Sequence, residues 1–204
     1  MLELTWENRL VAKGYKLIGG VDEAGRGPLA GPVVAACVVF DFSRPISLEL
    51  AKVNDSKKLS AKVRQELFGA IKREAAAVSV AAVSHAVIDK INILQATFLA
   101  MRQAITKLET QPDFVLVDGK FVIPKLVAIK QEAIIDGDAQ VFCIAAASIM
   151  AKVTRDWLMG EYDKKFPGYN FSQHKGYGTK EHLARIKALG PCPIHRLSFK
   201  PLLK

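Results

Sequence analysis

The chain has 204 residues, 50% of them hydrophobic and 24% charged, which is enough for one sizeable core and too little to make two domains the natural reading. Cys37, Cys143 and Cys192 are odd in number and far apart, excluding a disulfide framework or a C-x-x-C zinc site, and no apolar run approaches the roughly 18 residues of a membrane span. Basic residues outnumber acidic ones by 29 to 20, and residues 152–204 hold 11 basic against 4 acidic, so +7 of the net +9 lies in the last quarter. That asymmetry fits a polyanionic partner, although solvated lysines on helices give the same count. The N-terminus lacks the basic flank and apolar core of an export signal, so a soluble, cytoplasmic protein with no membrane attachment is expected.

In chain order, residues 3–13 can form a short helix with Leu4, Leu10 and Val11 as its apolar contacts. Leu17–Val21 reads as a strand ending on Asp22-Glu23, and Val33–Phe40 as a second, nearly continuous apolar strand. Glycine and proline fill the loop between them. Ser60 is placed to cap a helix with the stripe Val63, Leu67 and Ile71, and Val78–Val83 reads as a third strand. The stretch D-K-I-N-I-L-Q-A-T-F-L-A-M-R-Q-A-I, from Asp89, reads as one helix, because Leu94, Phe98, Met101, Ile105 and Leu108 step by four and three, as one face must. Phe114–Val117 is a short apolar strand that delivers Asp118-Gly119 at its end, and Leu126–Lys130 is the candidate fifth strand.

Asp138 precedes a long helix over about 144–165, in which Ser148, Lys152 and Arg155 share one face while Ile149, Val153 and Trp157 define an apolar one. A hydroxyl and two cations on one stripe suit a phosphodiester backbone. After Pro167 comes a polar, aromatic and glycine-rich loop, then a helix capped by Thr179 and stopped at Gly190-Pro191.

Asp22, Glu23, Asp118 and Asp138 are distant in sequence, yet each stands at a strand end or a helix entrance, where an α/β sheet gathers its site. Singly, each is as well explained by a turn or a helix cap; together they are better explained as a cluster. Four carboxylates without a Cys/His set are hard oxygen donors and suit Mg²⁺ or Mn²⁺ rather than zinc. Two such ions about 4 Å apart can activate a water and stabilise the leaving oxygen of an in-line phosphodiester displacement.

Gly25-Arg26-Gly27 with Ala30 also matches the dinucleotide fingerprint G-x-G-x-x-A. That fingerprint needs a helix after the glycines, whereas Pro28, Gly31 and Pro32 lead into a valine-rich strand. Close backbone approach to a sugar hydroxyl is the better use of the loop, with a plain tight turn as the bland alternative. Tyr177, between Gly176 and Gly178 and near Lys175 and Lys180, can stack on a nucleotide or pack back on the core. His85, His174, His182 and His195 show no ligand spacing and read as polar or capping residues, with a minor catalytic option for His174 beside the loop.

The ordered motifs D-E-A-G-R-G-P-L-A-G-P-V, D-S-K-K-L-S, N-I-L-Q-A-T, L-V-D-G, A-A-A-S-I-M-A-K-V-T-R-D and H-K-G-Y-G-T-K-E-H together resemble the bacterial type 2 ribonuclease H family over about residues 17–201. The resemblance implies a single RNase H-like α/β domain: a mixed central sheet flanked by helices over about 17–165, and a C-terminal substrate-binding loop and helix over about 166–204. It implies a monomeric endonuclease that cuts RNA in RNA–DNA hybrids, and on the 5′ side of single ribonucleotides in duplex DNA, leaving a 3′-hydroxyl and a 5′-phosphate. Asp22, Glu23 and Asp118 would be the Mn²⁺ or Mg²⁺ ligands, with Asp138 the fourth. Gly25, Arg26 and Gly27 would read the ribose 2′-hydroxyl, Tyr177 would stack on the neighbouring deoxyribose, and Lys57, Ser148 and Lys152 would contact the backbone. Asp156, one turn from Lys152, reads as a structural ion-pair partner. Asp136 stands where the family usually carries a basic residue and competes with Asp138; the position after the glycine favours Asp138. Two rivals stay open, a metal-dependent nuclease or integrase-like transferase of the same fold, and a non-catalytic RNA-binding module.

Overall fold

A computed structural model describes residues 2–202. Its centre is a five-stranded sheet of β1 (Leu17–Ala24), β2 (Val33–Asp41), β3 (Ala77–Val83), β4 (Phe114–Asp118) and β5 (Lys130–Ile134), in the order β3-β2-β1-β4-β5. β1 pairs antiparallel with β2 and parallel with β4, and β4 pairs parallel with β5. The middle strand therefore has neighbours on both edges, and its Asp22-Glu23 end lies beside the Asp118 end of β4. All nine residues of β2 but Asp41 are buried, because both sheet faces are covered.

Alternation along the strands divides the core in two. Ile18, Ala36, Val38, Phe40 and Leu116 face α1 (Thr5–Val11), α2 (Ala61–Glu74) and α5 (Phe142–Lys165). Val21, Ala35, Cys37, Val39, Val115 and Val117 face α3 (His85–Ile91) and α4 (Ile93–Thr106). Two short C-terminal helices, α6 (Phe171–His174) and α7 (Lys180–Leu189), complete the chain. Gly20 decides how close α5 comes: a Cβ there would lie 2.1 Å from the Cys143 carbonyl carbon and 2.4 Å from the Ile144 nitrogen. The helix backbone rests on the strand backbone, which carries Ser148 towards the carboxylates.

Several expectations are corrected. The fifth strand is Lys130–Ile134, not Leu126–Lys130; Val127 is 96% exposed in a loop, and apolar composition in so short a segment does not discriminate. The stretch before α4 is a separate helix, α3, broken from it at Asn92, whose φ of 64° is non-helical while its side chain accepts from the Gln95 N–H. Val11 is 39% and Trp157 63% exposed, so neither packs as periodicity proposed; the buried stripe of α5 turns instead through Ser148, Ala151, Arg155 and Met159. Ser60 caps α2 as read, accepting from the Val63 N–H, and Thr179 caps α7 by accepting from the His182 N–H. All three cysteines are free.

Candidate active site

A cleft of about 370 Å³ opens at the carboxylate end of β1 and β4, and all eleven residues singled out from the sequence line it, together with Ala24, Ser56 and Arg155. Oxygens of Asp22, Glu23 and Asp118 lie within 4.8 Å of one another. Asp22 is 4% exposed, and burial followed by the charges of Glu23 and Asp118 pushes its carboxyl well above the usual carboxylate range. Burial likewise raises Glu23, against the opposing pull of Arg26, and Asp118, against the Gly137 N–H that donates to its Oδ1 at 2.7 Å. Burial disfavours all three carboxyls as anions and neighbouring carboxylates add to it, against only the partial pull of Arg26 and Lys57, so a bound cation would relieve them. The donor set is all oxygen, so the residues present fit Mg²⁺ or Mn²⁺.

Asp138 is buried and outside this group of three, yet near enough for its charge to raise Asp118, and its Oδ2 accepts from Lys57 Nζ at 2.9 Å. That bond raises the Lys57 ammonium above its ordinary value. Asp136 is exposed and outside the cleft, on a left-handed backbone with φ 53°. Asp138 lines the same cleft as the trio, while Asp136 lines an adjoining one with Glu23 and Asp118. Ser148 is 5% exposed, with its hydroxyl 2.9 Å from that of Ser56, and Lys152 pairs with Asp156 at 2.8 Å. Asp156 is the ion-pair partner read from its spacing.

Arg155 does not join Ser148 and Lys152 as a free cation. It is 1% exposed, donating through Nε to the Pro32 carbonyl at 3.1 Å and through Nη2 to that of Ala30 at 3.2 Å. A Cβ on Gly25, whose φ is +99°, would stand 2.0 Å from Arg155 Nε, so only glycine lets the loop lie on the guanidinium. The same guanidinium is 5.9 Å from the centre of the Tyr177 ring. Arg196, missed in the sequence, is fully buried and donates to Gly31, Arg26 and Gly25 carbonyls at 3.0, 2.9 and 2.6 Å. Five carbonyls of the loop 25–32 therefore accept from two buried guanidiniums, which is strong, fixed bonding to neutral acceptors. Desolvation and the neighbouring Arg155 push Arg196 down to about 9.

This clamp leaves the loop rigid with Arg26 and Gly27 exposed, Arg26 approaching Glu23 at 3.4 Å. Tyr177, 45% exposed, completes the cleft. His174, given a minor catalytic option in the sequence, is buried instead, with Nε2 2.7 Å from the Tyr169 carbonyl. Glu7, in a segment that read as uninformative, is fully buried and its Oε1 accepts from the Cys143 N–H at 3.0 Å, capping α5 from a distant helix. Val141, the local cap position, supplies no side-chain acceptor.

A mixed sheet with convergent acids at the ends of its two adjacent central strands, packed between helices, is the architecture that the resemblance to a type 2 ribonuclease H implies. Comparison with known proteins narrows the class. The sequence profile of ribonuclease HII matches residues 19–202. Ribonuclease HII of Geobacter metallireducens is 54% identical over 196 residues, 96% of this chain and 89% of that one, and ribonuclease HII of Listeria monocytogenes is 51% identical over 97% and 73%. The crystal structure of ribonuclease H2 from Pyrococcus horikoshii superposes with a TM-score of 0.75 at 28% identity, covering 91% of this chain and 95% of that one. RNase HII of Archaeoglobus fulgidus, solved in complex with PCNA, superposes with a TM-score of 0.73 at 29% identity over 92% and 97%. The chain belongs to the ribonuclease HII family. It is a ribonuclease H, and membership carries endoribonuclease activity on RNA–DNA hybrids. No helix among the described residues is long and apolar enough to cross a membrane.

Proposed function

We propose that the protein hydrolyses the phosphodiester on the 5′ side of ribonucleotides, both in RNA–DNA hybrids and at single ribonucleotides embedded in duplex DNA, leaving a 3′-hydroxyl and a 5′-phosphate. The observation that carries this reading is the meeting, in one cleft, of the Asp22-Glu23-Asp118 trio with a rigid Gly-Arg-Gly loop and an exposed tyrosine. A nuclease indifferent to the sugar needs the first alone.

Asp22, Glu23 and Asp118 hold Mn²⁺ or Mg²⁺ in this reading, two ions with substrate present, and Asp138 is the fourth carboxylate. Bound divalent ions supply activation of the attacking water and charge stabilisation at the departing oxygen. The protein's own part is placement. The carbonyls of Gly25 and Arg26 are taken up by Arg196, so the loop offers a fixed face on which Gly25 to Gly27 can meet the 2′-hydroxyl without a large side chain between. Tyr177 stacks on the adjoining deoxyribose and marks the RNA-to-DNA junction. Lys57, Ser148 and Lys152 contact the sugar-phosphate backbone, Lys152 by exchanging Asp156 for a phosphate. Residues from about 17 to 165 are the catalytic part of one domain and those from about 166 to 204 its substrate-binding part, of which 203 and 204 lie outside the described residues.

The test is a nicking assay in Mn²⁺ or Mg²⁺ on a duplex carrying one ribonucleotide, beside an RNA–DNA hybrid and an all-DNA control. Cutting of the first two, with a 3′-hydroxyl at the 5′ side of the ribonucleotide, is expected. Equal cutting of the all-DNA duplex would turn the reading to a general nuclease of the same fold.

A further inference from the structure

Three of the four histidines, His174, His182 and His195, gather behind the Tyr177 loop. They are 8%, 0% and 2% exposed. His174 and His182 stack with ring centres 4.3 Å apart, and His182 Nε2 lies 3.1 Å from His195 Nε2. His182 is the one buried residue of α7, so that otherwise solvated helix docks through its histidine.

Each proton in the stack is assigned by a partner that has no choice. The Cys192 N–H donates to His195 Nδ1 at 2.9 Å, so that nitrogen carries a lone pair. The Cys192 carbonyl also lies 3.2 Å from it, but a proton there would face the Cys192 N–H, and the fixed donor decides. The proton of neutral His195 is then on Nε2 and is donated to His182 Nε2. That leaves the His182 proton on Nδ1, which donates to the Tyr177 carbonyl at 2.9 Å. By the same logic His174 accepts the Gly176 N–H on Nδ1 at 3.2 Å and donates from Nε2 to the Tyr169 carbonyl. Its own carbonyl accepts the Tyr177 N–H at 2.9 Å.

We infer that His195 and His182 are positioning residues for the junction-reading tyrosine: an ordered pair of neutral imidazoles holds the Tyr177 carbonyl, while the main-chain carbonyl of His174, whose ring stacks on His182, holds its N–H. The chain runs one way, from Cys192 N–H through His195 and His182 to Tyr177. The held loop in turn meets the Gly-Arg-Gly loop, where Leu29 N–H donates to the Gly176 carbonyl at 2.8 Å and residues 30 and 195 form a bridge. An added proton on His182 Nε2 would set two N–H groups against each other, in keeping with an imidazole that desolvation pushes down to about 4. This inference rests on the proposed role of Tyr177 for its consequence in catalysis, and on the hydrogen bonds alone for the chain itself.

Two measurements on the full-length protein test it. Nitrogen-15 NMR of histidine-labelled protein at pH 7 should find neutral His195 as the Nε2–H tautomer and neutral His182 as Nδ1–H; an imidazolium at either, or His182 protonated on Nε2, overturns the chain. In the nicking assay, His182→Phe should raise KM for the single-ribonucleotide duplex about tenfold, the worth of one hydrogen bond, with kcat retained. His182→Gln, which keeps a donor and an acceptor, should recover part of the loss. The His182→Phe/Tyr177→Ala double variant should be no worse than Tyr177→Ala; losses that multiply would show that His182 does not act through the tyrosine. If Tyr177→Ala itself changes nothing, the tyrosine's role fails while the tautomers still decide the chain. If His182→Phe does not fold, as circular dichroism would show, the tautomers of the native protein decide for or against the chain.

Discussion

The two ends of the cleft are built on opposite electrostatic plans. At the β1–β4 end, three carboxyls are crowded and desolvated until each is held above its ordinary range, and nothing within the trio neutralises them. At the other end, Arg155, Arg196 and the three histidines are as deeply buried, yet the polar atoms that hold the loops are paired with carbonyls, N–H groups or each other. In the proposed reading a cation relieves the first region, whereas the second is held by hydrogen bonds within the protein. Binding a cation and reading a sugar make different demands, since a cation needs excess negative charge whereas a hydroxyl needs donors and acceptors that do not move.

The sharpest way to break the comparison is to remove one member of each end. Asp118→Asn should bring nicking below detection while the metal-free protein melts at the same temperature or higher, because a repelled, buried charge has gone; a loss of both activity and stability would mean that the trio is structural. Arg196→Met should instead strike stability first, stranding the carbonyls of Gly25, Arg26 and Gly31 at a cost of about 3 to 5 kcal/mol, read by urea unfolding. Arg196→Lys should not restore it, because an ammonium cannot span three carbonyls in a plane.

Acid should sharpen the contrast further. His182 titrates at about 4 in the folded chain against 6.5 ordinarily, desolvation leading and the neighbouring His174 and His195 adding to it. A base whose folded value is depressed contributes stability that is full above pH 6.5 and is lost as pH falls towards 4, because the unfolded chain takes up the proton first. The expected loss is about 3 kcal/mol at the lower limit, visible as acid unfolding that a His182→Gln variant suffers less steeply. The smallest effect concerns Glu7, whose Oε2 is, with Thr97 Oγ1, one of two buried side-chain atoms without a partner among the described residues. Burial raises its carboxyl, so its charge is a burden that grows above pH 4.5. Glu7→Gln keeps the oxygen that caps α5 and should raise the thermal midpoint at pH 7 but leave it unchanged near pH 4.

Much of the frame was legible in one dimension. Unbroken apolar runs located β1, β2 and β4, because both faces of these strands are covered, and three-to-four spacing located α4, whose stripe answers to a single neighbouring layer. The fifth strand lies four residues beyond its expected place because residues 126–134 carry no such period; it runs through an exposed Lys130 and half-buried Gln131 and Glu132 at the sheet edge. Trp157 failed for a related reason: periodicity marks the apolar residues of a helix, whereas α5 turns a hydroxyl and an arginine inward towards the site.

What the sequence by itself determined is the family, from six ordered motifs, and the acids and glycines of its cleft, because those residues are recognisable by type. What only the tertiary structure decided is which polar groups serve the fold. Arg155 and Arg196 count as charges in the chain but act as buried donors, and Arg196 reaches carbonyls 165 to 171 residues away. A histidine's tautomer and an arginine's burial depend on the partners that packing supplies, and such partners leave no local period to read.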